Sequence, residues 1–472
     1  MFISNDKIDK NAYICTYKLE IKMKSTLIKS FSVYGLFGTN NVHIKFDENV
    51  KILIGENGLG KTQVLNLFYY TLTRNFFRLS EFNFEKLVLI FSKGKSIEIS
   101  KENVNDLVQE TYKHPMVKDI IGDIGFAQFE MLRNKFVHNK GNWSKMEEQL
   151  LFSNNKFRNK YPIHRIIRVF EELEINKQTI FPSHIDHCKN EIINQLKGID
   201  IMYFPTFRRV EEDLHNLGYD EEELHLNQEN MLIQFGMDDV QKRFNKIENT
   251  IDKLLKEGLA QFTKDILSIV IDDSAPTNII LDKISENDID IILSRVGNLL
   301  PQKQKEAVKD IVANKQLKNP LSAYLLQKLI DIYEKQKELD NSVKIFRDVC
   351  NKYLINKNVF YDESAIKIFI KSEITNDSID LSKLSSGEKQ IISIFSKVYL
   401  SDSDKRFVIL FDEPELSLSM IWQRQLLPDI INSKKCDFLL AVTHSPFIFD
   451  NELDNYAVGL NESIKSLKTS LV

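Results

Sequence analysis

The chain has 472 residues, 43% of them hydrophobic and 28% charged, with a formal charge of -4 and a pI near 6.2. This composition excludes wholesale disorder, collagen-like repeats and a disulfide-rich miniprotein, and it carries no strongly basic footprint for nucleic acid, although a local basic groove is compatible with it. Cys15, Cys188, Cys350 and Cys436 are far apart without CxxC spacing, no apolar run approaches the ~18 residues of a spanning helix, and the N-terminus lacks a signal-peptide core. The expectation is a cytoplasmic protein with no membrane partner and, at ~150 residues per domain, two to four domains.

In chain order, residues 1–24 are polar and weakly patterned. From Thr26, "TLIKSFSVYGLF" predicts a strand and a turn, and "NVHIKFDENVKILIG" predicts strands with alternating burial. "TQVLNLFYYTL" has helical spacing. "FEKLVLIFSKGKSIEISK" reads as a hairpin around Lys93-Gly94-Lys95, and residues 103–200 as mostly helical. "IDIMYFPTFRRVE" predicts a strand, broken at Pro205 and ending on Arg208-Arg209.

A different rhythm follows. Val240, Phe244, Ile247, Ile251 and Leu254 recur at alternating steps of three and four. So do Leu325, Leu329, Ile332, Leu339, Val343, Phe346, Cys350 and Tyr353, with Gln336 filling the missing step. Such spacing predicts two helices, each with one apolar stripe, as in a coiled-coil hairpin. The alternative, two helices packed on a globular core, fits the same pattern. Beyond it, "AIKIFIKSEI" predicts a strand, "LSKLSSGEKQIISIFSKVYL" a loop entering a helix, and "KRFVILFDEPELSLS" and "CDFLLAVTHSPFIF" two buried strands.

Four elements carry chemistry. Gly55-Glu56-Asn57-Gly58-Leu59-Gly60-Lys61-Thr62-Gln63 fits G-x-x-x-x-G-K-[ST] between a strand and a helix. Glycines let backbone N–H groups wrap phosphate oxygens, and the helix N-terminus adds partial positive charge. Lys61 is expected on the β- and γ-phosphates of ATP and Thr62 on Mg²⁺. The run Phe407–Glu413 ends a buried strand on two adjacent carboxylates, which are costly to bury without a cation. Asp412 is the expected metal partner and Glu413 the residue that orients and deprotonates the attacking water. Ser385-Ser386-Gly387-Glu388 opens a helix, read either as an anion site or as an ordinary N-cap with a following acid. Thr443-His444-Ser445 follows a buried strand and could place His444 near a γ-phosphate, although a lone His is more often structural.

These four elements, in this order, resemble the ATP-binding-cassette ATPases of the SMC, Rad50 and RecF type. The resemblance covers about residues 26–100 and 365–450. It implies an α/β fold: an ABC-type P-loop ATPase head, with a mixed β-sheet core and flanking helices, and a helical or coiled-coil hairpin insertion. The implied division is an N-terminal extension over 1–24, the first part of the head with a helical lobe over 25–210, the insertion over 211–360 and the rest of the head over 361–472. By resemblance, Gly55–Thr62 is the Walker A loop, Ser385 and Gly387 belong to the signature, and Asp412 and Glu413 are the Walker B pair. Leu416–Ser419 stands at the D-loop, and His444 is the switch histidine. Arg208 and Arg209 are candidates for sensing the nucleotide state, against a solvated basic pair; Phe37 is a candidate for packing near the nucleotide, against an ordinary core residue. The family implies a head-to-head dimer with two ATPs sandwiched, and it is compatible with a higher homo-oligomer.

"EPELSLS", "THSPFIFDNEL" and "YFPTFRRVEEDL" are similar to stand-alone ATPases of bacterial anti-phage systems, PARIS and Septu, and more distantly to the ATPase part of the OLD nucleases. That similarity implies an ATP-hydrolysing scaffold and sensor. With 28 residues after His444, a Toprim or HNH nuclease effector is expected on a separate chain, released by a phage trigger protein or DNA. The alternative is a DNA-repair or DNA-structure ATPase of the RecF or Rad50 type.

Overall fold

The computed structural model describes residues 26–466 apart from 57, 94, 113–115, 118, 121–128, 130–163, 172–182, 207–236, 273–285, 296–302, 304, 307–308 and 311–319. The expected extension over 1–24, Asn57, Arg208 and Arg209 therefore lie outside the described residues.

The first part of the chain forms β1 (Ile28–Leu36), β2 (Asn40–Lys45), β3 (Val50–Ile54), α1 (Lys61–Leu72), α2 (Phe76–Ser80), β4 (Lys86–Phe91), β5 (Ser96–Ser100) and α3 (Lys101–Tyr112). It continues with α4 (Ser183–Gln195) and β6 (Ile199–Phe204). Next come α5 (Met237–Asp272), α6 (Glu286–Arg295) and α7 (Pro320–Cys350). The last part holds β7 (Lys357–Asp362), β8 (Lys367–Ser372), β9 (Ser378–Ile379), α8 (Ser386–Tyr399), β10 (Arg406–Asp412) and α9 (Met420–Asn432). It closes with β11 (Cys436–Thr443), β12 (Ala457–Gly459) and β13 (Ile464–Ser466).

The central sheet has the order β12-β3-β11-β10-β6, and every pairing in it is parallel. Both of its faces are covered, which is why its strands read as continuous apolar runs. Phe407, Ile409, Phe411, Leu439 and Ala441 enter one core with α8, α9 and the small antiparallel β7-β8-β9 sheet. Val408, Leu410, Phe438, Leu440 and Val442 enter a second core with α1 and the β13-β2-β1-β4-β5 sheet. The architecture is the mixed α/β head that the resemblance implies.

Because the central strands run parallel, their carboxyl ends share one edge, where open α/β sheets place ligands. The segments after β3, β10, β11 and β6 all emerge there. Strand β6 stops at Phe204 rather than running on to the arginine pair. Pro205 brings no backbone N–H to continue the ladder.

The two long helices are antiparallel partners: Phe244 meets Phe346 with centroids 5.7 Å apart, Gly258 faces Ile332, and Asp265 bonds Lys328. Their roots (Val240, Phe244, Ile247, Ile251, Val343, Phe346) belong to the same core as β10. Toward the far end Leu267 and Ile271 are exposed. The stripe thus serves both arrangements that its spacing allows, core packing at the root and a helix pair beyond. Gln336 is no apolar substitute in this stripe. It is buried with Asp340 against Arg295 of α6, which donates to Gln336 Oε1 at 2.5 Å, to Asp340 Oδ1 at 2.7 Å and to the Glu363 carbonyl at 2.8 Å.

Candidate functional site

Between β3 and α1 the backbone makes two left-handed turns, at Gly58 (φ 88°) and Gly60 (φ 80°), a conformation that costs a residue with Cβ about 1–2 kcal/mol. Gly60 caps the N-terminus of the twelve-residue α1 and turns its first N–H groups toward the loop. Phe37, itself at φ 56° and 44% exposed, holds its ring edge over this glycine, where a Cβ would come within 2.9 Å of Cε2. Phe37 is a loop-packing residue at the mouth of the site and not part of the core. Leu59 packs partly into the second core, and Gln63 is half-buried in the first turn of α1.

Lys61 is buried and folds back over its own loop. Its Nζ donates to the carbonyls of Gly55 and Glu56, both at 2.8 Å, and lies 2.6 Å from His444 Nε2. Burial holds the ammonium below its ordinary pKa, with Glu413, Asp412 and Glu415 pulling the other way. In the next position Thr62 Oγ1 donates to Asp412 Oδ1 at 3.0 Å, across 350 residues of sequence.

Asp412 is the last residue of β10 and is 2% exposed. Burial pushes its carboxyl up, the adjacent Glu413 adds to that, and hydrogen bonds from Thr206 and Thr62 oppose it. Glu413 follows at φ 50°, its N–H donating to the Val442 carbonyl at 2.8 Å. A left-handed non-glycine at a strand end is a strained conformation of the kind stored at working sites. Its Oε1 reaches to 3.4 Å of His444 Nε2. Strand β11 lies between β3 and β10, so His444, one residue past its end, stands between Lys61 and Glu413.

The structure therefore brings Lys61, Thr62, Asp412, Glu413 and His444 into one cluster. A hydroxyl and a carboxylate 3.0 Å apart are hard oxygen donors of the type that magnesium takes. A buried carboxyl held above its ordinary range is one that a cation would return to the ionised form. The donor set fits such an ion.

Two groups in the site are not among the candidate residues named from the sequence. Thr206 Oγ1 donates to Asp412 Oδ2 at 2.9 Å. Glu415, almost fully buried, accepts from the backbone N–H of His444 at 2.8 Å and of Ser445 at 3.2 Å. Both lie inside stretches singled out for similarity, but neither role has a local signal: Thr206 depends on the register of β6 beside β10, and Glu415 on the loop after β11 folding over its turn.

Ser385 and Gly387 belong to a different turn. Ser385 caps α8 in a full capping box: Glu388 N donates to Ser385 Oγ at 3.4 Å and Ser385 N to Glu388 Oε2 at 2.8 Å. The ordinary N-cap reading holds in this turn. The capping hydroxyl acts only as acceptor there, so its own O–H is left to donate outward. Lys357 locks the box by reaching both Glu388 oxygens at 2.9 Å. Among the described residues no helix is long and apolar enough to cross a membrane.

A family model described as an AAA ATPase domain matches residues 27–449. Among solved structures the chain is similar to an Smc head bound to the C-winged helix domain of ScpA, with 10% identity, 94% of this chain and 98% of that chain covered and a TM-score of 0.34. It is also similar to an Smc head with an extended coiled coil, bound to the C-terminal domain of ScpA, from Pyrococcus furiosus (11% identity, 93% and 96% covered, TM-score 0.36). A third is an Smc head with a coiled coil and joint from Pyrococcus yayanosii (14% identity, 90% and 93% covered, TM-score 0.30). No curated protein matches the chain.

Proposed function

From the premise that the chain belongs to the AAA ATPase domain family and is an ATPase, we propose that it is the ATP-hydrolysing scaffold and sensor subunit of a bacterial anti-phage defence system. It dimerises through its heads and controls a separate nuclease. The observation that carries the catalytic part is the Thr62–Asp412 hydrogen bond at 3.0 Å, which joins the phosphate loop to the acidic strand end. The defence part is supported by the similarity of "EPELSLS" and "THSPFIFDNEL" to stand-alone defence ATPases.

In this reading the N–H groups at the start of α1 and the Gly58–Gly60 turn bind the phosphates of ATP, and Lys61 exchanges its loop carbonyls for β- and γ-oxygens. Thr62 and Asp412 would hold Mg²⁺, which when bound spreads the negative charge of the phosphates and fixes their orientation. Glu413 accepts the proton of the attacking water. His444, relieved of Lys61, turns its Nε2 to Glu413 or the γ-phosphate. The Ser385 hydroxyl donates to the γ-phosphate of the partner's nucleotide.

The test combines phosphate release with sedimentation. The native chain should hydrolyse Mg-ATP, and Glu413→Gln should lose about 100-fold or more of that rate while accumulating as an ATP-dependent dimer. A Glu413→Gln protein that stays monomeric with ATP bound overturns the head-to-head arrangement. Co-purification of a Toprim or HNH nuclease and protection of cells from phage support the defence role. Strong stimulation of hydrolysis by duplex DNA, with no nuclease partner, favours the RecF or Rad50 type instead.

A further inference from the structure

Asp412 receives a hydroxyl on each carboxylate oxygen, and the two hydroxyls come from opposite sides. Thr62, on the phosphate-loop helix, donates to Oδ1 at 3.0 Å; Thr206, beyond β6, donates to Oδ2 at 2.9 Å. We propose that Thr206 is a positioning residue for the metal site: it holds the Asp412 carboxylate in the rotation that keeps Oδ1 aimed at Thr62, and so raises the affinity of the site for Mg²⁺. The inference rests on the ATPase reading of the same site and adds to it a residue just past a strand that contributes none of the four motifs.

The framework around Thr206 is built to deliver that hydroxyl. Strand β6 runs parallel beside β10 with Phe204 opposite Phe411, so the chain leaving β6 passes alongside Asp412. The Phe204 and Phe411 rings stack 4.7 Å apart at 10°, fixing the two strand ends against each other. One residue earlier, the Tyr203 hydroxyl donates to Asn66 Oδ1 at 2.9 Å, tying the end of β6 to α1 itself. Pro205 then fixes its own φ and supplies no N–H to the ladder, so the chain leaves the sheet at this point. Thr206 is the first residue past it with a side-chain donor.

The physical effect follows from what a lone carboxylate does. Without an anchor, Asp412 rotates about its terminal bond, and an ion must both find and immobilise Oδ1. A donor on Oδ2 orders the group beforehand, and such outer partners of metal-ligating side chains are worth ~10-fold or more in metal affinity. The bond also stabilises the ionised form that a cation requires.

Three variants test this. Thr206→Val keeps the shape and removes the hydroxyl, Thr206→Ser keeps the hydroxyl, and Thr206→Ala removes both. Binding of a fluorescent ATP analogue is titrated with Mg²⁺, and hydrolysis is measured over the same Mg²⁺ range. The expected result is a half-saturating Mg²⁺ concentration raised about 10-fold in Thr206→Val and Thr206→Ala. Hydrolysis should be largely recovered at saturating Mg²⁺, and the native Mg²⁺ dependence restored in Thr206→Ser. An unchanged Mg²⁺ titration in Thr206→Val overturns the proposal. So does a Thr206→Ser protein as impaired as Thr206→Val, which would make the side chain's role one of shape. Should Thr206→Val fold poorly, the comparison of Thr206→Ala with Thr206→Ser decides in the same way. If the native chain shows no Mg²⁺-dependent nucleotide binding, the ATPase reading itself fails, a result distinct from an unchanged titration.

Discussion

Gly387 in the first turn of α8 lies directly against the backbone carbonyl of Ser417: a Cβ on this glycine would stand 2.4 Å from that oxygen. Ser417 is itself held at φ 67°, in the turn that follows the acidic end of β10. The glycine is therefore needed for a close helix-to-loop approach, whatever it does for a nucleotide. Because the obstacle is backbone, it cannot swing aside as a side-chain tip would.

Gly387→Ala should accordingly cost about 1–3 kcal/mol, the range of overpacking a well-filled contact. Part of the strain should appear as a displaced Ser417 turn, with lowered ATPase activity. Urea unfolding and phosphate release on the same preparation check both effects. A variant with native stability and native activity would mean that the two segments separate easily. Gly58→Ala is the contrast: nothing lies within 4 Å of the added methyl, and only the φ of 88° opposes it.

The extent to which the sequence disclosed the site follows the range of the interactions involved. Lys61, Thr62, Asp412 and Glu413 stand in contiguous patterns whose spacing is set by one loop or one strand end, so they were legible without a fold. The cap of α8 was legible for the same reason, as Ser385 and Glu388 are three apart. Thr206 was not, because its bond to Asp412 spans 206 residues and exists only through the pairing of β6 with β10. Nor was the Arg295 cluster: Gln336 occupies a position in the apolar rhythm of α7, and its partner comes from α6. Phe37 lies over Gly60 of the phosphate loop, the candidate position rather than the core one, and its positive φ has no counterpart in sequence periodicity.

The capping box of α8 sets a pH dependence. Burial by itself would push Glu388 up, but the hydrogen bonds from Lys357 and from Ser385 outweigh it and hold the carboxyl below its ordinary value. A carboxyl depressed in the folded state adds stability above its unfolded pKa of about 4.3, and that stability is lost as the pH falls through the lower folded value. Lys357→Met removes the cation. At pH 7 it should cost about 2 kcal/mol, the scale of a hydrogen bond to a charged group. The gap between native and variant should narrow as the pH falls from the unfolded value of about 4.3 toward the depressed folded value of Glu388. Urea midpoints at pH 7 and pH 3.5 measure it; a gap that does not change with pH assigns the loss to packing of the lysine stem.

Arg295 predicts a larger loss. The Arg295 and Asp340 side chains are 2% and 0% exposed, Tyr361 also bonds Asp340, and Asp340 Oδ2 has no partner among the described residues. Removing one member strands the other charge in the interior, at a cost of about 3–5 kcal/mol. Arg295→Met should therefore destabilise by that order, while Arg295→Met with Asp340→Leu should recover most of it. Chemical denaturation of the single and double variants reads this directly. The pair joins α6 and α7 to β7, so the single variant should also loosen the helix pair from the head, seen as faster amide exchange along α7.

His444 gives the sharpest kinetic signature. Its Nε2 is 2.6 Å from Lys61 Nζ and 3.4 Å from Glu413 Oε1. One nitrogen cannot accept from the lysine and donate to the glutamate together. In the proposed mechanism nucleotide entry would withdraw Lys61 to the phosphates and leave the same nitrogen to the water-activating side. His444→Ala removes an acceptor that competes with ATP for Lys61 and a donor that serves only hydrolysis. The expected outcome is a split: ATP binds at least as tightly as to the native chain, while kcat falls about 100-fold. Equilibrium binding to the apo protein and single-turnover hydrolysis separate the two. If binding weakens in proportion to the loss of rate, His444 acts as a ground-state ligand for the nucleotide, and the exchange of partners at Nε2 is wrong.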